Sequence, residues 1–312
     1  MQTLQLTDSH AAEVMPLNGY KVLITRSPDR AGALCSALKH AGAEPWLLPL
    51  IDFERASDQH SIELCLDAMV AGGFDWLVVS SITTVRALKE AAAERGTTLA
   101  ALVPERTKVA TIGPSSRAIL EAEGLTVHLA PTGVQSAEGL LDVWPAGECS
   151  VLLPQADIAA EALRDGLRAA GAEVRTVTAY HTVDYPARPE HRLTQELEPG
   201  LGTESATVAG GDTTAWAGEL DGPAAVARLN AGGLDAVVAA SPSAARRIHT
   251  TLGDLGPAAF IAIGESTAAQ ARTLGIDVAA TAATPTPQGI VQACMAALAG
   301  ANHGSNSRKV TP

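Results

Sequence analysis

The sequence is poor in several residue types that mark large protein classes. Aromatic side chains make up 3% of its 312 residues, and Lys plus Arg number 22 against 34 Asp plus Glu. The net charge of −12 argues against binding to nucleic acid or to an anionic membrane through general phosphate neutralisation. An anionic ligand would therefore need a local positive pocket.

Cysteines and long apolar runs are also scarce. Cys35, Cys65, Cys149 and Cys294 form no Cys-x-x-Cys pair and no disulfide framework, which is typical of thiols in a reducing cytosol. The chain has no run of 18 apolar residues and no signal-peptide pattern at its start. We therefore predict a cytoplasmic protein with no membrane attachment. Residues 1–19 are predicted to form a disordered leader, and residues 301–312 a polar tail.

Most motifs of cofactor-dependent chemistry are missing. There is no Walker loop, no His-Glu-x-x-His and no Gly-x-Ser-x-Gly, and the histidines show no metal-ligand spacing. Gly200-Leu201-Gly202 lacks the third glycine of a dinucleotide fingerprint. The sequence predicts neither a metal nor a cofactor.

What the chain does contain is a duplication. Gly171-Ala172-Glu173 and the alternating apolar run after it repeat Gly42-Ala43-Glu44 and the run after that. Apolar segments that start at Val22 and Val151 precede these turns. The two segments, like the two turns, are 129 residues apart, so the copies align without a gap. With 46% hydrophobic residues in 312, the duplication predicts two domains of related structure.

Apolar strand patterns alternate with helix patterns through both copies. The segment 76–79 is stopped by Ser80 and Ser81, with Thr83 and Thr84 opening a helix, and the segment 235–239 with Ser241 and Ser243 matches it. The segments 109–112 and 261–263 each precede a glycine that starts a helix. This alternation predicts parallel sheets covered by helices on both faces. Residues 186–222, rich in Gly, Pro, Thr and Glu, have no long counterpart and are predicted to be an exposed, partly disordered insertion.

Hydroxyls and glycines cluster where the predicted strands end. Ligands of open parallel sheets bind beyond these carboxyl ends, at helix N-termini. The alternative for each Ser or Thr is helix capping, which is compatible with ligand binding because a cap leaves other N–H groups free. The predicted binding residues are Thr25, Arg26, Ser80, Ser81, Gly113, Ser115, Ser116, Ser136, Ser241, Ser243, Gly264, Ser266, Thr267 and Gln288.

Several motifs, in their order and spacing, resemble the uroporphyrinogen-III synthase family over about residues 20–298. They are Val22-Leu23-Ile24-Thr25-Arg26, Phe74-Asp75-Trp76-Leu77-Val78-Val79-Ser80-Ser81, Ile112-Gly113-Pro114-Ser115-Ser116, Thr178-Ala179-Tyr180-His181-Thr182, Ile263-Gly264-Glu265-Ser266-Thr267 and Thr284-Pro285-Thr286-Pro287-Gln288-Gly289. The resemblance implies two flavodoxin-like, three-layer α/β/α domains with parallel sheets and exchanged strand–helix units, joined by a two-stranded β ladder. Carried onto this chain, one domain comprises 20–45 plus 184–300, the other 54–176, and the ladder 46–53 with 177–183.

The resemblance also implies a reaction. The family is a group of lyases that close the linear tetrapyrrole hydroxymethylbilane, with loss of water and inversion of the last ring through a spiro intermediate, without metal or cofactor. Its candidate acid aligns with Tyr180, whose phenol is protonated at pH 7. The alternative for Tyr180 is a ladder tyrosine with an apolar ring and a wet hydroxyl. A monomer that receives its substrate from hydroxymethylbilane synthase is expected.

The substrate of this family carries eight carboxylates, and an acidic chain must provide local positive charge to bind it. Helix N-termini and Arg26 are expected to supply local positive potential, with Arg86, Arg117 and Arg246 as further candidates or as solvated helix faces. The segment Pro154-Gln155-Ala156 departs from the family, where an Arg-Gly pair is common, which puts a contact at that loop in doubt.

Two other classes remain open from the sequence alone. One is a two-lobed module that closes over a small anion without chemistry, and the other is a nucleotide-sugar transferase with two α/β lobes. The absence of an export signal or effector domain weighs against the first, and the absence of phosphate-binding glycines against the second.

Overall fold

The structure is a computed structural model that describes residues 15–133, 135–194 and 215–301. Residues 1–14 of the predicted leader and 302–312 of the predicted tail lie outside the described residues. The end of the leader differs from the prediction: Leu17 is fully buried, and its N–H donates to the Ala41 carbonyl at 2.8 Å. An apolar side chain in the core explains why these residues are ordered.

Strands and helices alternate along the described chain. In chain order they are β1 (Lys21–Ile24), α1 (Pro28–His40), β2 (Glu44–Leu47), β3 (Ile51–Arg55), α2 (Gln59–Val70), β4 (Trp76–Val79), α3 (Ile82–Glu94), α4 (Leu99–Leu102), β5 (Lys108–Thr111), α5 (Pro114–Ala122), β6 (Val127–Leu129), α6 (Ala137–Asp142), β7 (Cys149–Ala156), α7 (Ala162–Ala169), β8 (Ala172–Asp184), β9 (Gly218–Glu219), α8 (Gly222–Asn230), β10 (Ala236–Ala239), α9 (Pro242–Leu252), β11 (Ala259–Ala262), α10 (Glu265–Thr273), β12 (Val278–Thr281) and α11 (Pro287–Ala301).

The strands form two sheets, and each sheet with its helices is called a lobe. The first lobe has the order β12-β11-β10-β1-β2-β9, with all neighbours parallel. The second lobe has the order β3-β8-β7-β4-β5-β6, parallel except for the antiparallel pair β3–β8. Setting aside the edge strand β9, the first lobe has the flavodoxin order. Without β3, the second lobe has the same spatial arrangement in circularly permuted form, because β7 and β8, its last strands in sequence, occupy the places of β1 and β2.

The two lobes exchange chain segments. β1 pairs with β10, Val22 lying opposite Ala236, so the N-terminal strand–helix unit completes a sheet whose other strands come from the C-terminal third. All strands of the second lobe lie between Ile51 and Asp184. The predicted fold class of two α/β domains with exchanged units and a ladder between them is confirmed.

Apolar strands without alternation place core on both sides of each sheet. In β4, Leu77 and Val79 face one apolar cluster while Trp76 and Val78 face another. The same division holds for β10, whose four residues are fully buried. Burial on both faces is why these strands read as continuous apolar runs.

The alternating apolar run that follows Gly42-Ala43-Glu44, which predicts one long strand over 44–53, is divided in the structure. β2 ends at Leu47 and β3 begins at Ile51, with Pro49 between them. Proline has no N–H to donate and restricts the residue before it, so the chain leaves the first sheet here. The ladder pairs residues 51–55 with 180–184, from Ile51 opposite Asp184 to Arg55 opposite Tyr180.

The predicted insertion 186–222 is ordered at both ends. Residues 186–194, called the strap, run along β3: the Arg55 N–H donates to the His191 carbonyl at 2.7 Å, and the Leu193 N–H to the Phe53 carbonyl at 3.0 Å. Gly218–Glu219 adds an edge strand to β2. Both ends supply partners to strand edges, which explains why they are ordered, although most residues of the strap are exposed. Residues 195–214 lie outside the described residues.

Candidate functional site

The predicted binding residues stand at the carboxyl edges of the two sheets. In the second lobe they follow β4, β5 and β6, and in the first lobe they follow β1, β10, β11 and β12. The second-lobe set is Ser80, Ser81, Gly113, Ser115, Ser116 and Ser136, and the first-lobe set is Thr25, Arg26, Ser241, Ser243, Gly264, Ser266, Thr267 and Gln288. Parallel strands bring each set to one edge of its own sheet.

Three of these serines cap helices. Ser81, Ser136 and Ser241 each accept a hydrogen bond from the N–H of the residue three positions later, at 3.1, 3.2 and 3.1 Å respectively. Ser243 lies 2.9 Å from the Ser241 hydroxyl. The capping interpretation therefore holds for them, and the remaining first-turn N–H groups still face the edge of the sheet.

Other predicted residues are buried away from solvent. Thr25 is 1% exposed and its hydroxyl donates to the Val238 carbonyl at 3.1 Å, so it joins β1 to β10. Thr267 is equally buried, and its hydroxyl has no hydrogen-bond partner among the described residues. Ser116 is also buried. These three side chains are therefore enclosed in the lobes and not open at the sheet edges.

The remaining predicted residues include two glycines at helix starts and three polar residues that are exposed or half-buried. Gly113 and Gly264 precede α5 and α10 in extended conformation and offer no side-chain cap. Ser266 and Gln288 are exposed, and Ser80 is half-buried. Backbone N–H groups at such glycine-preceded helix starts are suited to anions.

Tyr180 lies where β8 passes from the second sheet into the ladder. Its phenol oxygen is 3.1 Å from the Ser81 hydroxyl, at the start of α3, and the residue is 6% exposed. Burial raises the pKa of the Tyr180 phenol, and this outweighs the hydrogen bonds with Ser81 and Thr83. The phenol is therefore fully protonated near neutral pH and lies beside a helix N-terminus.

A row of side chains connects this phenol to the first lobe. The Tyr180 ring meets the Phe53 ring edge to face, with centroids 5.5 Å apart, and the Arg30 guanidinium lies 4.5 Å from the Phe53 centroid. Arg30 stands in the first turn of α1, four residues after Arg26. Sequence reasoning missed Arg30, although its place in the first turn of the helix predicted after Ser27 could have indicated it.

Acidic residues and arginines from both lobes meet at this point. Arg192 of the strap binds Asp52 and Asp29, each at 2.9 Å, and Arg30 approaches Asp52 at 3.5 Å. Burial tends to raise the pKa of Asp29, but Arg30 and Arg192 bring it below its ordinary value. Sequence reasoning also missed Arg192, because its segment has the composition of a disordered insertion.

The cluster of Arg26, Arg30, Arg86 and Arg192 is called the arginine corner. Burial lowers the pKa of Arg30 to about 10, and lowers those of Arg26 and Arg86. The Nε of Arg86, on α3 of the second lobe, is buried with no hydrogen-bond partner among the described residues. Asp29 and Asp52 already pair with Arg30 and Arg192, so an added anion at this corner would be held chiefly by Arg26 and Arg86.

The other candidate arginines lie apart from this corner. Arg117 is exposed and pairs with Glu121 at 2.9 Å within α5, and exposed Arg246 donates to Gln270 at 3.2 Å. Both arginines therefore match the alternative prediction, in which they lie on solvated helix faces. Gln155, at the departure from the family, lies in β7 where its pairing with β8 becomes irregular.

The described part of the chain contains a cavity apart from the predicted binding residues. A cavity of about 470 Å³ lies beside the ladder in the first lobe, lined among others by Leu50, Tyr185 and Arg247, and by none of the predicted binding residues. Within the described residues there is no group of three or more potential metal ligands. No described helix is both long and apolar enough to cross a membrane.

Comparison with known proteins points to one family. A family model described as uroporphyrinogen-III synthase HemD matches residues 32–292. A mutant uroporphyrinogen III synthase from Thermus thermophilus has a TM-score of 0.61 at 18% identity, covering 90% of this chain and 99% of that one. The uroporphyrinogen-III synthetase from Helicobacter pylori has a TM-score of 0.49 at 15% identity, with coverages of 88% and 98%. No curated protein sequence matches significantly.

The structural likeness to the Thermus thermophilus protein shows a shared fold across nearly the whole of both chains. The family match extends over most of the chain. The chain therefore belongs to the uroporphyrinogen-III synthase family.

Proposed function

We propose that this chain is a uroporphyrinogen-III synthase that acts as a cyclising hydro-lyase on hydroxymethylbilane. The observation that carries the proposal is the buried, protonated Tyr180 phenol beside Ser81 at the start of α3. It stands at the junction of two lobes whose strand ends carry free N–H groups and arginines. Family membership supplies the substrate class.

Binding comes first in the proposed mechanism. The substrate is a flexible chain with eight carboxylates, and it closes without inversion when free. Arg26 and Arg86, with the helix starts after Gly113 and Gly264, would hold carboxylates and so select the conformer that inverts. Positioning is therefore the larger part of the rate enhancement.

Proton transfer follows. The Tyr180 phenol donates its proton to the departing hydroxyl group, the carbon–oxygen bond breaks, and water leaves with an azafulvene cation behind it. Ser81 and the N-terminus of α3 stabilise negative charge that develops on the phenol oxygen.

Ring inversion completes the reaction. The substituted carbon of the last ring attacks the cation and gives a spiro intermediate, which fragments and recloses with that ring inverted. Loss of the proton from the reclosed ring restores the phenol and balances the reaction. No step requires electrons from outside.

Isomer analysis of the product tests the function. The protein incubated with hydroxymethylbilane should give the type III isomer, separated by chromatography after oxidation to the porphyrin. Formation of the type I isomer alone, at the rate seen without protein, would reject the proposal. That the protein is cytoplasmic, acts as a monomer and receives substrate from hydroxymethylbilane synthase remain predictions.

A second function is favoured by the arginine corner. A two-lobed module that closes over a small anion would also hold guanidiniums between its lobes. Such a module gives no type III isomer, so the same assay separates the two.

A further inference from the structure

Asp157, directly after β7, contacts three consecutive residues of β8. Its N–H donates to the Tyr180 carbonyl at 3.1 Å, and its Oδ1 accepts from the Thr182 N–H at 3.0 Å. Its Oδ2 lies 3.1 Å from Nδ1 of His181. One side chain and its backbone thus hold the segment that carries the phenol.

His181 extends this contact to the other ladder strand. Its Nε2 accepts from the Ser57 N–H at 3.1 Å and lies 2.8 Å from the Ser57 hydroxyl. Because Nε2 is an acceptor, the neutral ring carries its proton on Nδ1, directed at Asp157. Asp157, His181 and Ser57 therefore connect the ends of β7 and β3 through β8.

The backbone at Tyr180 needs such support. Pairing between β7 and β8 shifts register between Gln155 and Ala156, and Ala156 is the last residue of β7 to pair, opposite Tyr180. Tyr180 is also the first residue of β8 to pair with β3, opposite Arg55. Where a strand changes partners at an irregularity, ladder hydrogen bonds alone do not fix the direction of a side chain.

The order Ser57, His181, Asp157 is also that of a nucleophilic triad. In such a triad the imidazole nitrogen that faces the nucleophile takes its proton. Here the Ser57 N–H already donates to Nε2 of His181 at 3.1 Å, which fits a structural contact better than a base awaiting the Ser57 proton. A positioning role accounts for all of these contacts.

We propose that Asp157 is a positioning residue, which holds the Tyr180 phenol against Ser81 through His181 and the backbone of β8. The inference rests on the acid role proposed for Tyr180. The Asp157 carboxylate is also one of the groups that raise the pKa of the phenol, after the larger effect of burial.

The substitution Asp157→Asn tests the proposal. The amide NH₂ would face Nδ1–H of His181, so the ring should move its proton to Nε2 and the Ser57 N–H should lose its acceptor. We expect kcat to fall by about 10- to 100-fold, as for small misplacements of a reacting group, with KM changed by less than about threefold. The tautomer is read from imidazole ¹⁵N spectra.

A readout without substrate separates this inference from the proposed function. In a Tyr20→Phe/Tyr185→Phe background, ultraviolet titration follows the Tyr180 phenol alone, because the sequence has three tyrosines. Asp157→Asn should lower the titration midpoint of Tyr180. Asp165→Asn is the matched control, an exposed acid of the same lobe paired with Arg164, and should leave the midpoint and kcat unchanged.

The outcomes are distinct. If Asp157→Asn leaves the His181 tautomer as it is in Asp165→Asn, the positioning role is overturned, whatever the activity and even if the loss of charge lowers the Tyr180 midpoint. If both shift but the wild-type protein makes no type III isomer, the positioning stands and the proposed function fails. Should Asp157→Asn not fold, His181→Gln keeps Asp157 and is expected to lower kcat in the same direction; an unchanged kcat would overturn the proposal.

Discussion

Arg188 of the strap binds the carboxylate of Glu54 in β3 through both its backbone N–H and its guanidinium. The Glu54 Oε2 lies 2.7 Å from a terminal guanidinium nitrogen of Arg188, and its Oε1 accepts the Arg188 N–H at 2.8 Å. Hydrogen bonds from Arg188 lower the pKa of the Glu54 carboxyl to about 2. The ion pair therefore fastens the strap to the ladder.

The stability of the protein should depend on this pair in a defined pH range. A carboxyl whose pKa is lowered from 4.5 to about 2 stabilises the fold above pH 4.5, and that contribution is lost as the pH falls toward about 2. Glu54→Gln should lower the free energy of unfolding by about 1–2 kcal/mol at pH 7. The difference from wild type should shrink between pH 4.5 and 2, measured by urea titration. A constant difference across that range would contradict the assignment.

Removal of the phenol should slow the reaction without abolishing it. Tyr180→Phe keeps the ring against Phe53 and removes the proton donor, so we expect kcat to fall by roughly 10²-fold, the lower range for general acid catalysis. Residual formation of type III isomer should persist, because positioning remains. Tyr20→Phe is the control, since the Tyr20 hydroxyl donates to the Leu298 carbonyl in the first lobe. Equal rates for both variants would remove the acid role.

The arginine corner should act on substrate affinity. Arg86→Gln removes a guanidinium whose Nε has no partner among the described residues, and we expect KM to rise about tenfold, as for the loss of one charge-assisted hydrogen bond. The dependence of KM on salt should weaken as well. Arg95→Gln, at the other end of α3 and paired with Asp67 at 2.7 Å, is the control. A KM for Arg86→Gln that matches the control would exclude the corner from binding.

The exchange of segments can be tested by local stability. Leu23 in β1 and Leu77 in β4 are both fully buried, in different lobes. Substitution of either leucine by alanine should lower the free energy of unfolding by about 2–5 kcal/mol. In hydrogen exchange, Leu23→Ala should reduce protection in β10 and β11, and Leu77→Ala in β5 and β7. If Leu23→Ala instead reduced protection in β5 and β7, β1 would belong to the second sheet and the exchange of segments would be contradicted.

The sequence was sufficient for the order of elements because apolar runs and Gly-Ala-Glu turns are local signals. It was not sufficient for the break at Pro49, although proline's missing N–H was visible, because the alternating pattern continues across it. It failed for the strap, where Leu193 and Arg192 gain order from tertiary contacts that outweigh a disorder-prone composition.

For the site, the residue types at strand ends were predictable but their contacts were not. Tyr180 and Ser81 lie 99 positions apart, and no local pattern indicates that their hydroxyls meet. The burial of Thr25 and the role of Arg30 likewise depend on which elements pack together. Such contacts depend on the order of strands in each sheet. This order could be predicted from the sequence only through the family resemblance.

The pairing of β1 with β10 has a consequence for synthesis on the ribosome. Thr25 and Val238 are 213 positions apart, whereas every strand of the second lobe lies within 51–184. The second lobe can thus complete its sheet while the apolar β1 still has one unoccupied edge. Nascent chains stalled before residue 236 should bind chaperones through β1 and release them once β10 has emerged.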